Sequence, residues 1–375
     1  MRITLLEPYC TGSHRAWAEG YNAHSQHEVQ VLAMEGRFWK WRMHGGALEL
    51  ASLSRGVSPD SDLLLVTDMV NLPSFLSLTR PRFANTAVAA YFHENQLTYP
   101  LPPGADNDLT YGFMNFLTGL CSDWVFFNSQ FHRSQFFDEL PRLLKHFPDY
   151  NHLETIRELA DKSSVLPVGC DLGRLDAAKP AAPPRTAPPL ILWNQRWEYD
   201  KGPGTFFRAL SILAGEGVPF RLALAGENFR QKPDEFIAAK DTFADRLIHY
   251  GYASAEEYAH LLWQADVIVS TAIHEFFGIA IVEGVYCGAW PLAPNGLTYP
   301  ELIPTALHGE HLYDGFEDLV HRLRGLLLDL RRPAPALSEA MLQFDWSALS
   351  PVYDRALSAV AEKRRASMGQ GTIRE

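Results

Sequence analysis

The chain has 375 residues, about twice the ~150 of one typical domain, so two domains are expected. With 47% hydrophobic and 21% charged residues it can bury a sizeable core, which excludes disorder and a coiled coil. A net charge of -11 argues against a protein whose main work is coating nucleic acid, while leaving room for a local basic patch. The cysteines, Cys10, Cys121, Cys170 and Cys287, lie too far apart for a disulfide framework or a structural zinc site. MRITLLEPYCTGSH holds only a short apolar run, so neither a signal peptide nor a membrane helix is read there. No membrane insertion and a cytoplasmic location are the expectation.

In chain order, Ile3-Thr4-Leu5-Leu6, Val29-Gln30-Val31-Leu32, Leu63-Leu64-Leu65-Val66, Ala87-Val88-Ala89-Ala90-Tyr91 and Trp124-Val125-Phe126-Phe127 read as buried parallel strands. Helical stretches separate them. A proline-rich stretch, 177–189, excludes a helix interior or a central strand and is expected to be a stiff linker. The pattern then restarts with Leu190-Ile191-Leu192-Trp193, Arg221 to Ala225 and Asp266 to Ser270. The predicted fold is therefore α/β, with two Rossmann-like, doubly wound domains at 1–176 and 190–332 facing across a cleft. Residues 333–375 are expected to form helices packing back on the body, with a frayed tail from Ala366.

Ligands of such sheets bind at the carboxyl ends of the strands, where polar residues concentrate. After the first strand, Gly12-Ser13-His14 offers a small turn with free N–H groups, or an ordinary turn with Ser13 as N-cap. Nothing matches G-x-G-x-x-G or a P-loop. After Tyr91 come His93, Glu94, Asn95 and Gln96, polar side chains hard to explain as core. Arg37 to Arg42 interleaves Arg37, Lys40 and Arg42 with Phe38, Trp39 and Trp41. That suits stacked nucleobases and phosphates, or equally a half-buried edge with snorkelling cations.

In the second half, Arg196 and Lys201 precede a helix expected near Pro203, a diphosphate site by electrostatics. Glu275 and Glu283 flank Gly278 and Ile279. Glu283 is expected just over one turn inside a helix, where an unpaired buried carboxylate is costly and so calls for a function. Two D-x-D runs, Asp60-Ser61-Asp62 and Asp106-Asn107-Asp108, are read as turns rather than metal sites.

The spaced glutamates with Arg196 and Lys201 upstream resemble the retaining GT-B glycosyltransferases of family 4, across both halves. Gly12-Ser13-His14, Trp39-Lys40-Trp41-Arg42, the run Tyr91 to Pro100, Phe127-Asn128-Ser129 and Tyr299-Pro300-Glu301 narrow the likeness to the tRNA-queuosine α-mannosyltransferase-like branch. The resemblance implies GDP-mannose as nucleotide-sugar donor, queuosine at the wobble position of tRNA-Asp as acceptor, and no metal or other cofactor. It makes 1–176 the acceptor side and 190–332 the donor side. It further implies that Arg196 and Lys201 hold the diphosphate, and that Phe277, Gly278 and Ile279 give backbone contacts. Glu275 then binds sugar hydroxyls, Glu283 the ribose, and His93 lies at the reacting centre. Gly12, Ser13, His14, Trp39, Lys40, Arg42, Glu94 and Asn95 fall to the acceptor, with Arg37, Arg80, Arg82 and Arg133 as further cations for RNA. A family 4 enzyme with a lipid, glycan or small-molecule acceptor, or a non-catalytic nucleotide-binding protein, also fits the residues.

Overall fold

The computed structural model describes residues 1–57, 60–100, 108–181, 188–226 and 234–371. It comprises two compact units, Met1–Cys170 with Trp346–Glu375, and Asp171–Asp345.

In the first unit the apolar runs become β1 (Arg2–Cys10), β2 (Glu28–Glu35), β3 (Leu63–Thr67), β4 (Ala87–Phe92), β5 (Trp124–Phe127) and β6 (Ser163–Val165). They pair in parallel in the order β2-β1-β3-β4-β5-β6. Every residue of β3 and β4 is buried, because helices cover both faces of a parallel sheet. One core joins Leu64, Val66, Val88, Phe92, Phe127 and Phe136. The strand order reverses between β1 and β3, the switch point where such sheets take their ligands.

The second unit holds β7 (Leu190–Trp193), β8 (Arg221–Ala225), β9 (Leu247–Gly251), β10 (Val267–Val269), β11 (Trp290–Pro294) and β12 (Leu312–Tyr313). Their order is β12-β11-β10-β7-β8-β9, again all parallel, with the switch between β7 and β10. Its core is aromatic: Trp197 stacks on Phe236 at 4.3 Å, and Trp193 and Phe206 pack beside them. The helix Pro203–Gly215 begins where the proline predicts, since a missing N–H costs nothing in a first turn.

The boundaries differ from those read in the sequence. The units divide at 170/171 and 345/346, so residues 171–181 and 188–189 belong to the second unit. The reason is packing: Leu172 and Leu175 are fully buried, and Trp263 Nε1 donates to the Leu175 carbonyl at 2.7 Å. Residues 182–187 of the proline-rich stretch lie outside the described residues. The segment 333–375 is likewise split. The helix Pro335–Met341 stays with the second unit, whereas Trp346–Gly371 returns to the first. There Trp17 Nε1 donates to Tyr353 Oη at 3.0 Å, and Tyr21 Oη to Asp354 Oδ1 at 2.9 Å. Gly20 and Gly169 make room for the Trp346 indole, which any Cβ at either position would overlap. That helix continues through Gly371, so the chain does not fray at Ala366. All four cysteines are free, and among the described residues no helix is long and apolar enough to cross a membrane.

Candidate active site

The first unit's switch point gathers charge. Glu7, inside β1, is fully buried. Its Oε1 accepts the Tyr9 N–H at 2.7 Å and its Oε2 lies 2.9 Å from His14 Nδ1. His14 stands on the helix Gly12–His24, which starts at Gly12 (φ +49°) with Thr11 as N-cap; Ser13 is exposed and is not the cap. Burial opposes a charged imidazole, but the Glu7 carboxylate, with Asp68 and Glu94, overcomes it and pushes His14 up to about 9. His14 is thus an imidazolium at neutral pH.

Directly after β3, buried Asp68 accepts the His93 N–H at 2.8 Å through Oδ1, while its Oδ2 has no partner. Burial pushes the Asp68 carboxyl up, against the pull of His14 and with Glu94 adding to the rise. His93 follows β4. Its carbonyl accepts from Asn128 Nδ2 at 2.8 Å, and its ring lies 4.2 Å from that of His14 and 4.7 Å from that of Trp17. Burial and the neighbouring His14 charge hold His93 well below the usual histidine range, so it stays neutral, with a buried Nε2 that has no partner. A charged and a neutral imidazole therefore stand side by side. Glu7, His14 and His93 also offer ligand atoms within 4.8 Å of one another, close enough to hold a metal ion.

The remaining acceptor-side residues divide. Asn95 is fully buried, and its Oδ1 takes the N–H groups of Leu97 and Thr98, so its carbonyl shapes the loop; its Nδ2 is unpartnered. Glu94 accepts from Gln96 Nε2 at 2.9 Å. Trp39 opens the helix Trp39–Leu53 and packs on Tyr111 at 5.0 Å, with Lys40 Nζ 5.6 Å from both rings. Arg42 Nε donates to the Glu35 carbonyl at 3.0 Å. Two other cations named for RNA are tied to the fold: Arg82 donates to the Val57 carbonyl, and Arg133 to Ser163 Oγ and the Ala160 carbonyl at 3.0 Å each.

In the second unit, β7 and β10 bring Lys201 and Glu275 together. Lys201 Nζ lies 3.1 Å from Asp200 Oδ2, 3.1 Å from Glu275 Oε2 and 3.1 Å from the His274 carbonyl. Burial alone would lower its pKa; the carboxylates of Glu275 and Asp200 reverse that and raise it. The same pairing outweighs burial at Glu275 and lowers its pKa. Phe277 is buried against Phe344 and gives its N–H to Glu275 Oε1 at 3.3 Å, so that backbone group is already engaged. Gly278 (φ +89°) is the N-cap of the helix Ile279–Tyr286, and a Cβ there would meet Leu302 and Tyr299 at 3.2 Å. Arg196 is half-exposed and lies 3.3 Å from Glu198.

Glu283 sits just over one turn into that helix and is buried, as expected, but it is not unpaired. Arg174 binds its Oε1, and Tyr258 Oη donates to its Oε2 at 2.6 Å. Arg174, Tyr258, Asp68 and the pairing of Glu7 with His14 were not foreseen. Glu7 and Asp68 had a signal, each being a carboxylate directly after an apolar run; Arg174 and Tyr258 had none. The D-x-D runs are structural where described. Asp62 accepts the Arg2 N–H at 2.7 Å, and Asp108 caps the helix Leu109–Cys121 through the Thr110 N–H. Asp106 and Asn107 lie outside the described residues.

Residues 2–170 match the family model of the tRNA-queuosine alpha-mannosyltransferase N-terminal region, and residues 176–338 that of glycosyl transferases group 1. A tRNA-queuosine alpha-mannosyltransferase of Drosophila melanogaster is 33% identical over 333 residues, covering 86% of this chain and 85% of the fly protein. Among solved structures, sucrose-phosphate synthase from Thermosynechococcus elongatus superposes with a TM-score of 0.63 at 15% identity, over 100% of both chains. Anabaena HepE, solved with UDP, gives 0.67 at 15% identity over 96% of this chain and 100% of its own. These likenesses show the GT-B type of fold, and the group 1 region makes the chain a glycosyltransferase. The chain belongs to the tRNA-queuosine alpha-mannosyltransferase family.

Proposed function

We propose that this protein transfers mannose from GDP-mannose, with retention, to the cyclopentenediol of queuosine at the wobble position of tRNA-Asp, in the cytoplasm. The observation that carries this reading is the placement of Glu7, His14 and His93 at the switch point of the first sheet, within the region that matches the family's N-terminal model. The donor roles fall on the second switch point. Arg196, Lys201 and the N-terminal N–H groups of the helix Ile279–Tyr286 stabilise the negative charge that grows on the departing diphosphate. Glu275, held by Lys201, binds sugar hydroxyls, and Glu283, held by Arg174 and Tyr258, accepts from the ribose.

On the acceptor side Gly12, Ser13 and His14 shape the pocket, with Glu94, Asn95 and the segment Trp39, Lys40 and Arg42 around it. His93, neutral beside the His14 imidazolium, lies by the sugar. The acceptor hydroxyl attacks from the leaving-group side, and its proton passes to a diphosphate oxygen. Positive side chains do the work of charge neutralisation, so no metal ion is required. A panel of nucleotide sugars offered with queuosine-bearing tRNA tests the donor assignment, the product being read as added mass on the digested nucleoside. GDP-mannose is expected to be the donor. Turnover of a different sugar nucleotide with GDP-mannose inert would overturn that assignment.

A further inference from the structure

The N-cap and first turn of the helix Trp39–Leu53 expose two large rings that the site above does not use. Phe38 is 69% exposed and Trp41 63%, and Leu48 continues the same face at 62%. Phe38 also holds φ 55° and ψ 57°, a left-handed conformation costly for a bulky residue, and this turns it outward at the N-cap. Trp41 lies over Gly45, one turn further along, where a Cβ would stand 2.9 Å from the indole. A glycine inside a helix weakens it. Here the glycine leaves room for the indole to lie along the helix with its outer face in water.

We propose that Phe38 and Trp41 form a stacking platform for unpaired nucleobases of the RNA acceptor. The inference rests on the tRNA reading above and names the residues that grip the loop. Trp39, packed on Tyr111, has a different role. Base–aromatic stacking needs an exposed ring face beside cations that meet the phosphodiester backbone. Lys40 and Arg42 supply that charge, Arg37 being paired with Glu35 at 2.8 Å, on a chain whose net charge is -11. A second copy of the chain is the weaker occupant, because it would bring two sets of these cations together.

The test measures binding of a labelled hairpin RNA with an unpaired loop, and of the same strands as a full duplex, to wild type, Phe38→Ala, Trp41→Ala and Gly45→Ala. Each alanine in place of a ring is expected to weaken hairpin binding roughly tenfold. Duplex binding, the slope of affinity against salt and donor hydrolysis should stay as in wild type. Trp41→Phe should restore most of the affinity. Gly45→Ala should raise the melting temperature yet weaken the hairpin, because it displaces the indole. Unchanged hairpin affinity in both ring variants would overturn the platform, as would an equal loss on hairpin and duplex. A shift in sedimentation for Trp41→Ala with RNA binding intact would overturn it in favour of a contact between copies. Failure of wild type itself to bind the hairpin would sink the RNA reading and the platform with it, an outcome distinct from wild-type binding that survives in the variants.

Discussion

Glu7 and His14 are seven residues apart in the chain and meet through a 2.9 Å hydrogen bond, with the carboxylate fully buried. A buried carboxylate is tolerable only when paired, and here the partner is a histidine kept charged by it. Replacing Glu7 by Gln keeps the shape and removes the charge. The His14 titration midpoint, about 9 in the native protein, is then expected to fall toward or below the ordinary ~6.5, as followed by imidazole NMR shifts. Because the folded-state value is raised, the stability from this pair is complete below about pH 6.5. It is lost as pH rises through about 9, on the order of 3 kcal/mol in all. Denaturation of Glu7→Gln should show less of that loss, and an identical pH profile would refute the pairing.

Lys201 neutralises two carboxylates at once, Asp200 and Glu275. Lys201→Ala leaves both buried without their cation and is expected to cost about 3–5 kcal/mol in urea denaturation. Glu275→Gln, whose amide oxygen still accepts from Lys201, should cost far less stability while lowering transfer by about 100-fold or more. Equal stability losses in the two variants would mean that the ion pair is not the organising contact.

Gly278 carries a positive φ of +89° with Leu302 and Tyr299 close by. Gly278→Ala is therefore expected to cost about 1–3 kcal/mol and to raise the KM for the donor, since the start of the helix Ile279–Tyr286 must shift. A variant with native stability and native KM would show that the turn has slack.

Glu7, His14 and His93 are spaced to hold a metal ion, yet Glu7 and His14 already satisfy each other by hydrogen bonding. Transfer is expected to persist after dialysis against a chelator. Loss of activity that zinc or manganese restores would assign that trio as a metal centre instead.

Much of the fold was legible because β1, β3, β4, β5, β7 and β8 are apolar runs buried on both faces. β2 was found although its edge position leaves it only partly buried, and four strands escaped notice, among them the half-buried β9 and the two-residue β12. β6 is a short Ser163-Ser164-Val165, and β11 carries Pro291 and Pro294. Pro291 is tolerated because β12 covers only Ala293 and Pro294, and Pro294 because the β10 ladder ends at Leu292. In the site, Glu275 and Glu283 stood out as carboxylates in apolar surroundings. Lys201 stood out too, but its pairing with Glu275 and that of Arg174 with Glu283 did not, because they reach across 74 and 109 residues of chain. The domain boundary was misplaced for a similar reason. Proline density marks stiffness, whereas the division of units follows the burial of Leu172 and Leu175.

The most direct measurement compares tRNA-Asp that contains queuosine with the same tRNA lacking it, each incubated with the protein and GDP-mannose and then digested to nucleosides for mass spectrometry. A hexose on queuosine alone, lost in Glu275→Gln, is the expected result. A hexose on tRNA without queuosine, or none on either while GDP-mannose is consumed with another acceptor, would contradict the assignment.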